Sequence, residues 1–150
     1  ETTLSNWDEI RANDFGYIAA GPCEALPKGP CGADAWEKSG RAPAFASTLA
    51  LIEDAQSHHV AVFFVTGRHE DERDATERNL HLAGVKHWDG LYLRPMTSHG
   101  YAAMYKAPTR ERIERKGYTI IASLGDQPSD LSGGFAKKAF LLPNPFYRIP

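Results

Sequence analysis

The sequence lacks the features that mark membrane-spanning proteins and proteins that bind polyanions. No apolar run approaches the roughly 20 residues that a membrane-spanning helix needs. Lysine and arginine together number 17 against 19 aspartates and glutamates, and they form no dense basic block. The formal net charge of -2 therefore gives no electrostatic reason to expect a nucleic acid polymer or an anionic membrane as a partner. Any anion that the protein binds must be held by a few residues of a local site.

Cysteine is also scarce, and the chain contains only Cys23 and Cys31. Both lie in GPCEALPKGPCG, where each follows a Gly-Pro pair and where glycine and proline favour turns. This local pattern favours a disulfide between them over two unrelated thiols, and a disulfide indicates an oxidising compartment. A zinc site is disfavoured, because no histidine or second cysteine pair lies nearby in the sequence.

What is present is an ordinary globular composition with an alternation of helical and extended patterns. The 150 residues are 42% hydrophobic and 24% charged, enough for one core. From Arg41 onward the periodicity predicts a helix through APAFASTLALIEDAQ, a strand at VAVFFV, a helix through TGRHEDERDATERNLHLAG that ends at Gly84, a strand at LYL, a helix from Pro108 to Gly117, a strand at YTIIASL and a last strand at AFLL. One domain covering 1–150 is expected.

Strands that alternate with helices predict an α/β fold with a doubly wound, Rossmann-like parallel sheet. Ligands of such sheets bind beyond the carboxyl ends of the strands. This rule points to Thr66–Arg68 after the first strand and to Gly125–Asp130 after YTIIASL. Residues 7–40 are rich in glycine and proline and weakly periodic, so we interpret them as an insertion, a small cap over the sheet.

The segment GDQPSD places two carboxylates, Asp126 and Asp130, in one loop after a strand. A hard cation such as Mg²⁺ suits a site with one or two protein carboxylates and open positions for water and phosphate oxygens. The alternative is an Asx-type turn followed by a helix cap, which the same residue types favour. Taken alone, this motif favours the turn.

A phosphate site is the second candidate, at VTGR. Thr66 and the backbone of Gly67 would form a cradle for phosphate, although Thr-Gly also simply ends strands. Arg68 either neutralises a phosphate or pairs with Glu70 or Asp71. Lys106 would add the fixed positive charge that phosphoryl transfer requires, or be an ordinary solvated lysine on a loop before the helix.

Seven segments in order resemble the haloacid dehalogenase superfamily of phosphohydrolases, in the branch of plant vegetative storage proteins and bacterial secreted acid phosphatases. They are ETTLSN, VFFVTGR, ERNLHLAGV, HWDGLYLR, Tyr105-Lys106, GYTIIASLGDQPSDLSGG and FLLPNPFYRIP. The family's first motif reads Asp, any residue, Asp, Glu, Thr at the end of the central strand. Glu1 and Thr2 resemble its last two positions. The resemblance therefore predicts that a hydrophobic central strand with two aspartates precedes Glu1 and is missing from the chain.

The resemblance also implies roles for the residues of the site. The first upstream aspartate would form an aspartyl-phosphate, and the second would act as general acid and base. Thr66, Gly67 and Lys106 would bind the phosphoryl group, and Asp126 and Asp130 would hold Mg²⁺. The insertion would shape a substrate pocket with four candidate contacts, Asn6, Trp7, Phe15 and Tyr17.

The leading hypothesis is a magnesium-dependent acid phosphatase, secreted or periplasmic, that hydrolyses small phosphomonoesters. Without the two upstream aspartates, the chain itself is expected to be inactive. A non-catalytic storage or phosphate-binding relative is the alternative, and a flavodoxin-like binding domain is a third possibility. The oligomeric state is open.

Overall fold

The computed structural model describes residues 1–98 and 100–149, so Pro150, the last residue of FLLPNPFYRIP, lies outside the described residues. Helices and strands follow one another as the periodicity predicts. In chain order they are α1 (Trp7–Ala12), α2 (Ala33–Ser39), α3 (Ala46–Ser57), β1 (Phe63–His69), α4 (Arg73–Leu82), β2 (Gly90–Arg94), α5 (Ala103–Arg115), β3 (Ser123–Gly125), α6 (Pro128–Leu131) and β4 (Ala139–Leu141), with a 3₁₀ turn at Glu70–Glu72. None of the helices in these two described ranges is long and apolar enough to cross a membrane.

The described strands form two parallel pairs. β1 pairs with β2, with Phe63 opposite Gly90, and β3 pairs with β4, with Ser123 opposite Ala139. The predicted α/β fold with parallel strands is confirmed, and the sheet consists of two halves in the part of the chain that the structure describes. β1 extends four residues beyond the hydrophobic run VAVFFV into the predicted ligand-binding turn, with an irregularity between Val65 and His69.

A cavity of about 1750 Å³ separates the two half-sheets, and we call its elongated part the slot. The slot is lined on one side by residues 60–67 and on the other by residues 118–124. Only the last two of the residues predicted as the strand YTIIASL belong to β3, and Ile121 beside the slot is half exposed. An edge of β1 and an edge of β3 therefore face a space instead of a neighbouring strand, which native sheets ordinarily avoid.

The hydrophobic core lies between β2 and the helices that cover it. Ile52 of α3, Leu80 of α4 and Leu91 and Leu93 of β2 are buried together with Val85. Their spacing is the cause: alternate residues of β2 point to the same face, and residues three or four apart share one face of a helix. This core fixes β1 and β2 and thereby the end of β1 that carries Thr66.

The helix predicted to start at Pro108 begins five residues earlier, at Ala103, so that prediction of its start is wrong. Proline inside a helix removes one backbone hydrogen bond and ordinarily breaks the helix. Here the first turn is held by a tertiary contact, because the Tyr105 hydroxyl donates to the carbonyl of Leu93 at 2.6 Å. As a result, Lys106 lies on a helix and not on a loop.

The insertion at residues 7–40 contains α1, α2 and a disulfide between Cys23 and Cys31, which confirms the predicted pairing. The Asn13 side chain bonds the backbone of Cys31 on both sides, at 2.7 and 2.9 Å. A bridge that closes so short a loop contributes roughly 2–3 kcal/mol in the chain-entropy model. The assignment of 7–40 as a cap on a single domain of 1–150 stays a prediction.

Candidate active site

The predicted site residues come together around one cavity, at the carboxyl ends of the strands. Thr66 and Gly67 lie at the end of β1, Lys106 in the first turns of α5, and Asp126 and Asp130 directly after β3. All five line the cavity that also contains the slot, as do Glu1 and Thr2. The residues that the strand-end rule selects therefore lie together, because parallel strands bring their carboxyl ends to the same edge.

Asp126 is the most completely surrounded of these side chains. Its Oδ1 accepts hydrogen bonds from the Thr2 hydroxyl at 2.6 Å and from the Glu1 nitrogen at 3.2 Å. Its Oδ2 accepts from the side-chain amides of Gln127 at 2.9 Å and Asn144 at 2.8 Å. With its side chain only 7% exposed, the carboxylate is fixed in orientation by four donors from three parts of the chain.

These donors determine the charge of Asp126. Burial alone would raise the pKa of this carboxyl, but the hydrogen bonds from Thr2, Gln127 and Asn144 outweigh it, together with the positive charge that Glu1 carries as the first residue of the 150-residue chain. Together they hold the pKa of Asp126 well below its usual range. The side chain is therefore an anion at any biological pH, as a ligand for a hard cation has to be.

Lys106 and Asp130 form an ion pair with both side chains largely buried. The other carboxylate oxygen of Asp130 accepts the backbone N–H of Gln127 at 3.0 Å, which places Asp130 at the start of α6. Gly125 permits this arrangement, because a Cβ at that position would lie 2.6 Å from the Asp130 carboxylate. A strand residue with a side chain would push Asp130 away from Lys106.

The two aspartates fit a metal site that water and substrate oxygens complete. Within the described ranges, no group of three or more His, Cys, Asp or Glu side chains is positioned to hold a metal ion. Asp126 and Asp130 would therefore supply one or two oxygens, and water and substrate oxygens would supply the rest, which is the pattern that Mg²⁺ favours. The negative charge that Asp126 keeps at any biological pH suits a carboxylate ligand of such a cation.

The Thr66 turn is open to the cavity. The Thr66 hydroxyl accepts the backbone N–H of Arg68 at 3.2 Å, so its own proton is free to be donated. A Cβ at Gly67 would meet nothing within 4 Å, which means that there is space directly beside this backbone. An oxyanion can therefore approach Thr66 and Gly67 closely.

Arg68 does not form the ion pair with Glu70 or Asp71 that was predicted as one of its two roles. Its guanidinium is buried and lies 3.4 Å from Asn79 and 3.5 Å from Thr76 of α4. Its carboxylate partner is Glu37, with Nε 3.9 Å from the Glu37 carboxylate, and not Glu70 or Asp71. The prediction was wrong because the side chain packs against residues that are distant in the sequence.

Of the four predicted pocket residues, Asn6, Phe15 and Tyr17 line the cavity, and Trp7 lies behind Phe15. The rings of Trp7 and Phe15 are 6.1 Å apart, and both contact Phe146, at 5.4 and 6.2 Å. Asn6 has a different task, since its side chain accepts the indole N–H of Trp36 at 2.9 Å and so fastens α2.

Comparison with known proteins shows the family of this chain. The model of the haloacid dehalogenase superfamily, subfamily IIIB (acid phosphatase), matches residues 11–150. The chain belongs to this family. The resemblance noted in the sequence is confirmed, and the flavodoxin-like alternative is set aside.

Curated relatives of this family member come from plants. It is 40% identical to Acid phosphatase 1 of Solanum lycopersicum over 99% of this chain and 56% of that protein. It is 39% identical to the Stem 28 kDa glycoprotein of Glycine max over 77% of this chain and 47% of that protein. Vegetative storage protein 1 of Arabidopsis thaliana is 33% identical over 77% of this chain and 43% of that protein. The chain thus spans about half the length of the curated relatives that it matches.

The fold of this subfamily IIIB chain matches that of a solved bacterial enzyme. The class C acid phosphatase of Bacillus anthracis aligns with a TM-score of 0.73 at 20% identity, over 98% of this chain and 64% of that one. The same enzyme with tungstate bound aligns with a TM-score of 0.71 at 19% identity. At this level of identity the likeness concerns the fold.

Two side chains that hold the site in place in this acid phosphatase family member were not predicted from the sequence. Asn144, in the proline-rich C-terminal segment, donates a hydrogen bond to Asp126, and no local sequence pattern predicts this contact. Arg110 is buried and donates to the carbonyls of Asp130, Ser132 and Gly134, which joins α5 to the loop that carries Asp130. Arg110 lies four residues after Lys106, on the same face of the helix, and this spacing was a usable signal.

Proposed function

We propose that the chain forms the phosphate- and metal-binding part of a phosphomonoester hydrolase. The observation that carries the proposal is the convergence of Thr66, Lys106, Asp126 and Asp130 on one cavity, from three separate parts of the chain. In the proposed complex the Thr66 hydroxyl and the Gly67 N–H donate to the phosphoryl oxygens. The Lys106 ammonium, held by Asp130, offsets the negative charge of the transferring group.

The nucleophile is proposed to come from a strand that precedes Glu1 and fills the slot. The two free strand edges support this, since a strand between them would join the half-sheets and end beside Thr66 and Asp126. The first upstream aspartate would attack phosphorus, forming the P–O bond of an aspartyl-phosphate while the bond to the ester oxygen breaks. The second would protonate the departing alkoxide and then deprotonate the water that hydrolyses the acyl phosphate.

A divalent metal is used generally by phosphatases of this superfamily, and we propose Mg²⁺ here, held by Asp126 with Asp130 beside it. When bound, the ion would neutralise charge on the phosphoryl oxygens and position the phosphate. The contribution of the protein is a carboxylate at Asp126 that stays ionised and cannot rotate.

Secretion or a periplasmic location is proposed on the basis of the disulfide between Cys23 and Cys31, because such bridges persist in oxidising compartments. Three of the relatives support secretion, since their names describe stem glycoproteins and glycosylation accompanies secretion.

A direct test compares the chain of 150 residues with a polypeptide that begins upstream of Glu1 in the gene, here called the extended chain. With p-nitrophenyl phosphate we expect hydrolysis by the extended chain, loss of activity after chelation with EDTA and recovery with Mg²⁺. We expect no turnover by the 150-residue chain. Activity that persists in EDTA would refute the proposed metal requirement. Hydrolysis by the 150-residue chain would refute the proposal that the nucleophile lies upstream of Glu1.

The alternative function is a non-catalytic storage or phosphate-binding protein. The similarity to vegetative storage proteins of Arabidopsis thaliana favours it. It predicts a substitution of one or both aspartates in the codons directly upstream of Glu1. An extended chain that carries both aspartates and hydrolyses the ester would exclude it.

The substrate pocket is proposed to prefer aromatic leaving groups. Phe15 is 59% exposed at the cavity, and its ring packs against those of Trp7 and Phe146. An aromatic face of this kind binds an aryl or nucleobase group by stacking, which contributes about 1–3 kcal/mol per ring. Sugar phosphates would gain less, because they offer no ring of this type.

Replacing Phe15 by alanine in the extended chain is expected to raise KM for p-nitrophenyl phosphate about 5-fold or more and to leave kcat nearly unchanged, since stacking acts equally in ground and transition states. For glycerol phosphate we expect little change in either constant. Phe15→Leu keeps apolar bulk and is the matched variant. Equal losses for both esters would contradict stacking as the role of Phe15.

A further inference from the structure

Arg68 is buried beside two glutamates that the proposed reaction does not use. Only 8% of Arg68 is exposed, and its guanidinium lies between α4, through Thr76 and Asn79, and α2, through Glu37. Its hydrogen bonds to α4 are long, at 3.4 to 3.5 Å. A single cation therefore connects the insertion to the end of β1.

Glu72 is the second acid of this group and is 3% exposed. Its Oε2 accepts the backbone N–H of His69 at 2.6 Å, whereas Oε1 has no donor among the described residues when both acids are ionised. The nearby carboxyl of Glu37 supplies one if protonated, because the two carboxyl groups are within hydrogen-bonding reach of each other. Two carboxyls can share a hydrogen bond only when one of them carries a proton.

The surroundings favour that proton on Glu37. Burial, the charge of Glu72 and the charge of Asp34 on the same helix raise the pKa of Glu37, and Arg68 opposes them. Three other titratable groups belong to this region. Lys38 pairs with Asp34 and Asp71, and Tyr17 is exposed. His69 follows Arg68, and its Nδ1 is buried with no hydrogen-bond partner among the described residues. One guanidinium then balances one carboxylate, and a second carboxylate would be in excess.

The position of this group connects it to the phosphate site. Glu37 belongs to α2 of the insertion, whereas Arg68 follows Thr66 and Gly67 directly and donates its backbone N–H to the Thr66 hydroxyl. Whatever holds Arg68 in place therefore also holds the Thr66 turn. Glu37 and Glu72 are positioning residues in this arrangement, since Glu37 contacts the Arg68 side chain and Glu72 accepts the backbone N–H of His69.

We propose that Glu37, Arg68 and Glu72 form a proton-dependent clasp that fastens α2 of the insertion to the Thr66 turn. The inference rests on the proposed function and adds a regulation of the same site. With one proton shared between the glutamates, the clasp is closed and nearly neutral. When that proton is lost, two carboxylates repel each other across one guanidinium and α2 separates from the turn.

The direction of the pH effect follows from the raised pKa of Glu37. The folded clasp binds a proton that an unfolded chain would already have released. The stabilisation by the clasp is therefore present at a pH below the ordinary pKa of a carboxyl group, and it is lost as the pH rises through the raised pKa of Glu37. The insertion should thus be fastened under acidic conditions and loosened under alkaline ones.

The test follows Trp36, which is buried next to Glu37 on α2, in the 150-residue chain with Trp7 and Trp88 replaced by phenylalanine. Between about pH 5 and about pH 9, a range that brackets the raised carboxyl pKa, we expect its emission to shift to longer wavelength in one step. Glu37→Gln keeps a neutral donor for Glu72 and should lose this step. Glu53→Gln changes an exposed glutamate on α3 and should retain it.

Each outcome decides the proposal. A Trp36 signal that stays constant across this range would overturn the clasp, as would an unchanged step in Glu37→Gln. If Glu37→Gln fails to fold, Glu72→Gln serves as the second variant with the same expected loss of the step. The readout needs no substrate, so failure of the clasp is distinct from failure of the proposed function, which would appear as lack of hydrolysis by the extended chain.

Discussion

Replacing Asp126 by asparagine is expected to lower p-nitrophenyl phosphate hydrolysis by the extended chain at least about 100-fold. It is also expected to destabilise the 150-residue chain by about 3 kcal/mol. The amide removes the negative charge and turns an N–H₂ group toward donors that already point at this position, from Thr2, Gln127 and Asn144. Activity assays and urea unfolding followed by circular dichroism measure the two effects.

The stability effect should also depend on pH in a definite direction. Because the pKa of Asp126 is held below its usual range in the folded chain, its contribution is present at neutral pH and is lost as the pH falls below about 4 toward the folded value. The difference in unfolding free energy between wild type and Asp126→Asn should therefore become smaller as the pH falls. Asp74→Asn, the same change at an exposed position of α4, is the control and should be nearly neutral. Equal stability of Asp126→Asn and wild type at neutral pH would refute this account of the donors.

The second large effect is expected for Arg110→Met, which should destabilise the chain by about 2–3 kcal/mol. The guanidinium donates to three carbonyls of the loop after β3, and methionine would remove these three charge-assisted hydrogen bonds. Activity of the extended chain should fall as well, since the same loop presents Asp130 to Lys106. Urea unfolding and the p-nitrophenyl phosphate assay test both expectations.

Two further variants separate the role of Arg110 from loss of charge. Arg110→Lys retains the charge but lacks the planar group that reaches three carbonyls, so it should recover only part of the stability. Arg115→Met removes an exposed arginine from the same helix and should cost little. If Arg115→Met proved as harmful as Arg110→Met, the carbonyl contacts would not be the cause.

The extent to which sequence predicts the site depends on where each residue lies. Thr66 and Asp126 directly follow strands with clear apolar patterns, so the strand-end rule was sufficient to bring them together. The start of α5 was not predictable in this way, because the local signal of Pro108 is overruled by the contact between Tyr105 and Leu93. Propensity and local pattern are weaker than a tertiary hydrogen bond at such a position.

Long-range supports of the site lie beyond local patterns altogether. Asn144 and Arg110 act through hydrogen bonds to residues 18 and 20 positions away, at Asp126 and Asp130. Likewise, the two halves of the sheet appear only when the pairing of β1 with β2 and of β3 with β4 is known. Periodicity predicts that a segment is a strand, but it does not predict which edge of that strand has a neighbour.

The slot between the two half-sheets makes this fold divisible into pieces. A space bounded by two free strand edges can accept an extended segment from a separate polypeptide, which would complete both sets of backbone hydrogen bonds at once. A strand supplied in trans, with its own acidic residues, would then decide when the assembly turns over substrate. If the chain and the separate strand are each inactive and hydrolyse phosphoesters only when they associate, their activity would report that the two proteins to which they are fused are close together.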